Sequence, residues 1–129
     1  MKKIVKQVKH IAPVVTAIIL AGCGAQQPKP LYNYAGYSDS YYAYKKNMTP
    51  ESTLQLEKSI EEAINGTQNS SSGRVAPGMH ANLGYLYLKA GKSNEAIASF
   101  IKEKTVYPEA AFFMDKLINR VKAAEGTKQ

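Results

Sequence analysis

The chain has 129 residues, room for one domain at the usual size of roughly 100–200 residues each. A single cysteine excludes an internal disulfide. The balance of 17 basic to 10 acidic residues, net +7, would suit a polyanion, but four of the lysines are concentrated in the first nine positions.

Those lysines, Lys2, Lys3, Lys6 and Lys9, precede a ten-residue apolar run from Ile11 to Leu20. A membrane-spanning helix needs about 20 apolar residues, so residues 1–22 read as a cleaved secretory signal. The run ends in Leu20-Ala21-Gly22-Cys23, which resembles the lipobox of bacterial lipoproteins. In that motif small residues admit the signal peptidase and the cysteine thiol receives a diacylglycerol, so the resemblance implies lipidation at Cys23. Acyl chains such as palmitate would then hold the protein at the membrane, each buried CH₂ adding about 0.8 kcal/mol. Gly24 stands where an aspartate would resemble an inner-membrane retention signal, which points to the periplasmic face of the outer membrane. Cleavage removes the four lysines and leaves 13 basic against 10 acidic residues, scattered except for Lys45-Lys46. A mixed solvated surface follows, with no nucleic-acid partner.

Residues 23–31 form the lipidated cysteine and its tether. Gly24 to Leu31, with two prolines, spans only ~25 Å when extended at about 3.1 Å per residue. Residues 32–125 are expected to form the helical domain. It opens on a tyrosine-rich segment, with six of the nine tyrosines between Tyr32 and Tyr44. Tyr34, Tyr37, Tyr41 and Tyr44 fall on one helical face, expected to pack on the following helices. The alternative is an aromatic platform for a carbohydrate or a protein. Tyr32 and Tyr42 lie off the stripe and are the candidates for exposed contact.

Thr49-Pro50-Glu51-Ser52 predicts a helix start: a capping threonine, proline in the first turn and an early acid. Leu54, Leu56, Ile60, Ala63 and Ile64 are its expected buried side, Glu57, Glu61 and Glu62 its solvent side, and Gly66 its end. Thr67 to Ala76 reads as a mobile polar loop.

From Pro77 to Pro108 the pattern is a helical hairpin. Met79, Leu83, Leu86, Tyr87 and Ala90 recur at helical spacing up to Gly91. Ala96, Ile97, Phe100 and Ile101 repeat the period behind Ser93, the expected N-cap, and Pro108 ends the run. Gly84 within the first helix costs about 1 kcal/mol relative to alanine and so predicts close approach of the second helix, with Ala96 opposite. Leu83-Gly84, Tyr87, Ala96, Phe100 and Pro108 together resemble a tetratricopeptide repeat. His80 and Glu103 depart from its pattern, standing where it has a large apolar residue and alanine. The resemblance implies a concave surface lined by Gly78, Ala81, Tyr85, Leu88 and Lys89. Beyond Pro108 a last helix is expected to bury Ala110, Phe113, Met114, Leu117, Ile118 and Val121, and Glu125 to Gln129 to fray.

No nucleophile–base pair, metal-ligand cluster or phosphate-cradling loop is visible, so no catalytic residue, metal or other cofactor is assigned. His80 reads as a packed, hydrogen-bonded histidine. Tyr34 to Tyr37, Tyr41 to Lys45, Thr49 to Ser52, Val75 to Met79, Leu83 to Gly91, Glu95 to Glu103 and Tyr107 to Glu109 follow in an order that resembles domain-of-unknown-function family 4810. That resemblance covers Leu31 to about Ile118. It implies a Gram-negative periplasmic lipoprotein, often encoded beside other lipoproteins, one of them like a curli secretion pore. The expectation is therefore an all-α, tetratricopeptide-like hairpin with flanking helices, anchored through Cys23. It would bind a protein partner, an envelope lipoprotein, through Tyr85, Leu88, Lys89, Tyr32 and Tyr42. The alternative is a structural lipoprotein whose tyrosines contact cell-wall glycan.

Overall fold

Five α-helices and two short 3-10 turns make up the computed structural model, which describes residues 27–126. The helices are α1 (Tyr37–Asn47), α2 (Pro50–Asn65), α3 (Met79–Lys89), α4 (Ser93–Val106) and α5 (Ala111–Gly126); the turns are Thr67–Asn69 and Pro108–Ala110. There is no strand among the described residues, and the fold is all-α. The signal sequence, Cys23 and residues 127–129 lie outside the described residues, as does the tether before Gln27. No described helix is long and apolar enough to cross a membrane.

α1 begins at Tyr37, so the tyrosine stripe is divided. Asn33 Oδ1 accepts the Ala35 amide at 3.0 Å, and Ala35 takes a positive φ of 45°, which closes a turn before the helix. Tyr34 is left in that turn and exposed, while Tyr44 is buried and Tyr37 half-buried. α2 starts as predicted. Thr49 Oγ1 accepts the Ser52 amide, Ser52 Oγ accepts the Thr49 amide, and Pro50 occupies the first turn. Leu56, Ile60 and Ala63 are buried, but Leu54 is 67% exposed. It lies two residues from Leu56, about 200° around a helix of 3.6 residues per turn, and so faces away from the core.

The α3–α4 turn is built by Gly91. At φ 75° its amide donates to the Leu88 carbonyl while that of Lys92 donates to Tyr87, the paired bonds of a Schellman motif. Lys92, not Ser93, then occupies the cap position of α4, its carbonyl accepting the Ala96 amide at 3.0 Å. The glycine turn already fixes the entry of the chain, and Ser93 is drawn into the first helical turn. Across the hairpin a Cβ on Gly84 would stand 2.7 Å from Phe100 Cε1 and 3.1 Å from the Ala96 carbonyl oxygen. The close approach predicted from Gly84 is therefore present, and Ala96 is fully buried at it.

Two apolar clusters hold the helices together. One joins Tyr44, Leu56, Ile60, Met79, Leu83 and Leu86 from α1, α2 and α3. The other joins Ala96, Phe100, Met114, Ile118 and Val121 from α4 and α5. Tyr87 packs against both. In α5 Phe113 is 60% exposed, contrary to expectation, because the buried stripe runs through Met114, Ile118 and Val121 and passes beside it.

The 66–78 segment is tied down at both sides. The amides of Ser71 and Ser72 donate to the Pro30 and Leu31 carbonyls, Asn33 Nδ2 donates to the Gly66 carbonyl, and Tyr107 Oη donates to Val75. Val75 and Ala76 join the first cluster. This loop is thus part of the domain's frame, and Pro30 and Leu31 belong to the domain, not to the free tether.

Candidate functional site

Side-chain contacts place α1, α3 and α5 along one face and α2 and α4 along the other. Tyr37 Oη accepts from Asn82 Nδ2 at 3.0 Å, and Tyr44 Oη accepts from Lys89 Nζ at 3.3 Å, so α1 is stitched to α3 through tyrosine hydroxyls. Two grooves follow. The first, about 250 Å³, lies between α1 and α3 and is walled by Tyr41, Tyr44, Met48, Tyr85 and Leu86. The second, about 290 Å³, lies between α3 and α5; Tyr85 and Leu88 form one wall, Leu117, Val121 and Ala124 the other, and Phe100 the floor. Tyr85 is common to both and remains 52% exposed.

The charges around these grooves have one sign. Lys45 and Lys89 border the first, Arg120 the second, and no carboxylate lines either. Lys89 stands over the rings of Tyr44 and Tyr85, at 5.9 and 5.3 Å from their centroids. Its hydrogen bond to Tyr44 holds its pKa above the usual lysine value, so the ammonium keeps its charge.

The opposite side differs. A polar cleft of about 440 Å³ between α2, α3 and α4 gathers Glu61, His80, Tyr87, Glu95, Ser99 and Lys102. Partial burial, then the carboxylates of Glu57, Glu61 and Glu95, hold the Tyr87 phenol above its ordinary pKa. His80 is buried, as the hairpin register requires, but no protein hydrogen bond reaches its ring among the described residues. Burial pushes its pKa down, Glu103 pushing it up less strongly and Lys102 down again, so the imidazole is held towards its neutral form. Although this cleft is the larger, its lining mixes both signs, Glu61 and Glu95 against Lys102, and among the described residues no three His, Cys, Asp or Glu side chains gather as metal ligands.

Of the residues singled out from sequence, the fold brings Tyr85, Leu88 and Lys89 to the groove face. Tyr42 is exposed on α1 and lines neither groove. Tyr32 is half-buried, packed on the first cluster with its hydroxyl against Tyr107, so it does not stand free as expected. Its backbone is held in the segment that pairs with Ser71 and Ser72, which turns the ring inward. Cys23 lies outside the described residues. Phe100, Leu117 and Val121 were legible only as core positions, and Arg120 only as a residue on the other side of the last helix. Their helical period was readable, but the gap between α3 and α5 that exposes them depends on tertiary packing.

Fold and surface together define a small protein of helical hairpins with an aromatic, cationic groove. The chain belongs to the family described as Domain of unknown function (DUF4810), which it matches over residues 31–117. Searches among curated proteins and among solved structures gave no match.

Proposed function

We propose that this protein is a lipid-anchored periplasmic adaptor, held at the outer membrane through Cys23, that binds a protein partner along the α1–α3–α5 face. The partner is an envelope lipoprotein or another member of such an assembly, and the role involves no turnover and no cofactor. The observation that carries this reading is Tyr85, half-exposed on the shared wall of two grooves whose charged side chains are all cationic. An exposed aromatic anchor beside an apolar slot is the usual centre of a protein interface.

A glycan-contacting role for the tyrosine segment has less support, because Tyr37 and Tyr44 spend their hydroxyls on Asn82 and Lys89. The test is co-purification from membranes with the Tyr85→Ala, Leu88→Ala double variant. Loss of a specific envelope protein, with helicity and melting retained, is the expected result. Undiminished recovery of the same protein would reject the groove as its docking site.

A further inference from the structure

The end of the domain that receives the tether also carries two strongly exposed phenylalanines. Pro30 and Leu31 are fixed to Ser71 and Ser72, and Arg74 from the same loop donates to the Val106 carbonyl and stacks over the Tyr107 ring at 4.7 Å. Four residues after Tyr107 the chain enters the first turn of α5, where Phe112 and Phe113 are 74% and 60% exposed. Leu31 and Tyr34 are exposed at this end too. Lys29, Arg74 and Lys116 supply positive charge there, the Lys116 ammonium lying 4.3 Å from the Phe112 ring centroid; the acids at this end include Glu109, Asp39 in the first turn of α1, and Asp115, which pairs with Lys104.

We propose that this end lies against the bilayer, with Phe112 and Phe113 at the boundary of headgroups and acyl chains. The proposal rests on the reading that Cys23 carries the lipid. Exposed phenylalanine and leucine beside lysine and arginine is the composition of an interfacial contact, and the aliphatic stem of Lys116 lets its ammonium rise to the headgroups. Exposure alone does not choose this end, since Met48 and Leu54 are exposed near the other. The tether chooses it. Seven positions separate Cys23 from the anchored Pro30, at most about 24 Å when fully extended, which is about the length of α2 itself. Presenting the far end to the membrane would use all of that reach, whereas presenting the near end uses little. The groove residues Tyr85, Leu88 and Val121 lie in the C-terminal parts of α3 and α5, towards the far end, with Leu117 midway along α5, so the groove faces away from the bilayer.

The chain contains no tryptophan, so single substitutions report one place each. The acylated full-length Phe112→Trp and Met48→Trp proteins are floated with phosphatidylethanolamine–phosphatidylglycerol vesicles that carry bromine on their acyl chains. Emission from Phe112→Trp should fall about twofold or more in these vesicles, as expected of a side chain at interfacial depth, with Met48→Trp unchanged. A Phe113→Trp protein should repeat the first result if Phe112→Trp alters the fold. Flotation without quenching at either phenylalanine position, or quenching at Met48 instead, overturns the orientation. Failure of the acylated proteins to float removes the anchor reading itself, and the orientation with it.

Discussion

The buried Glu103 carboxylate accepts the amide of Gly78 at 2.8 Å, and with its second oxygen that of Ala81 at 3.2 Å. The N-terminus of α3 is thus capped by a residue delivered from α4, because Gly78 at the cap position has no side chain to do so. This explains why a glutamate stands where the repeat pattern has alanine. Glu103→Ala should lower the unfolding free energy by about 2 kcal/mol, since two amides lose a charged acceptor in a buried site. Glu103→Gln should lose less, as one oxygen remains. Urea unfolding of the three proteins measures both.

Gly84→Ala should also destabilise, although alanine is the better helix former. The added methyl stands within 3 Å of two Phe100 ring carbons, and relieving it costs about 1–3 kcal/mol. Combined with Phe100→Leu, the loss should be smaller than the sum of the two single losses. Simple additivity in a double-mutant cycle would contradict the contact.

His80 predicts acid sensitivity. Burial lowers its folded-state pKa below the ordinary 6.5, so the unfolded chain binds the proton more readily. Stability should therefore fall as pH drops below about 6.5. His80→Gln should flatten the dependence of the melting temperature on pH between about 7 and about 5.

Tyr107 makes the corresponding prediction in alkali. Burial, followed by the neighbouring Tyr32 hydroxyl, raises its phenol to about 12 from 10.0. The unfolded chain releases this proton first, so its contribution to stability is intact below pH 10 and lost as pH rises towards about 12. In Tyr107→Phe the phenolate absorbance titration should lack its latest step.

The helices were legible in sequence because their signals are local. Thr49-Pro50 and Gly91 mark boundaries through one or two residues, and Gly84 announces a close approach by what it lacks. Leu54 and Phe113 misled because apolar character alone does not fix a helical face when the residue sits two positions from a buried one, as Leu54 does from Leu56, or one, as Phe113 does from Met114. The anchoring of residues 66–78 was hidden, since its partners are backbone carbonyls at Pro30 and Leu31, about 40 positions away and without a sequence signature. Tyr85 and Leu88 were readable as a second apolar side of α3; the opposing wall on α5 was not.

Because Tyr85 is half-exposed, Tyr85→Ala should change stability by less than about 1 kcal/mol while weakening partner binding strongly. Thermal unfolding and quantitative co-purification of the same variant separate the two effects.

The measurement that bears most directly on the adaptor reading is photocrosslinking in intact cells, with the reactive group at Tyr85 in one protein and at Leu54 in another. Both positions are exposed, but Tyr85 walls the grooves and Leu54 projects from α2. A single envelope protein crosslinked from Tyr85, absent from Leu54 and lost with Leu88→Ala, is the predicted result. Equal products from both positions, or none from Tyr85 in acylated protein recovered at the membrane, would contradict it.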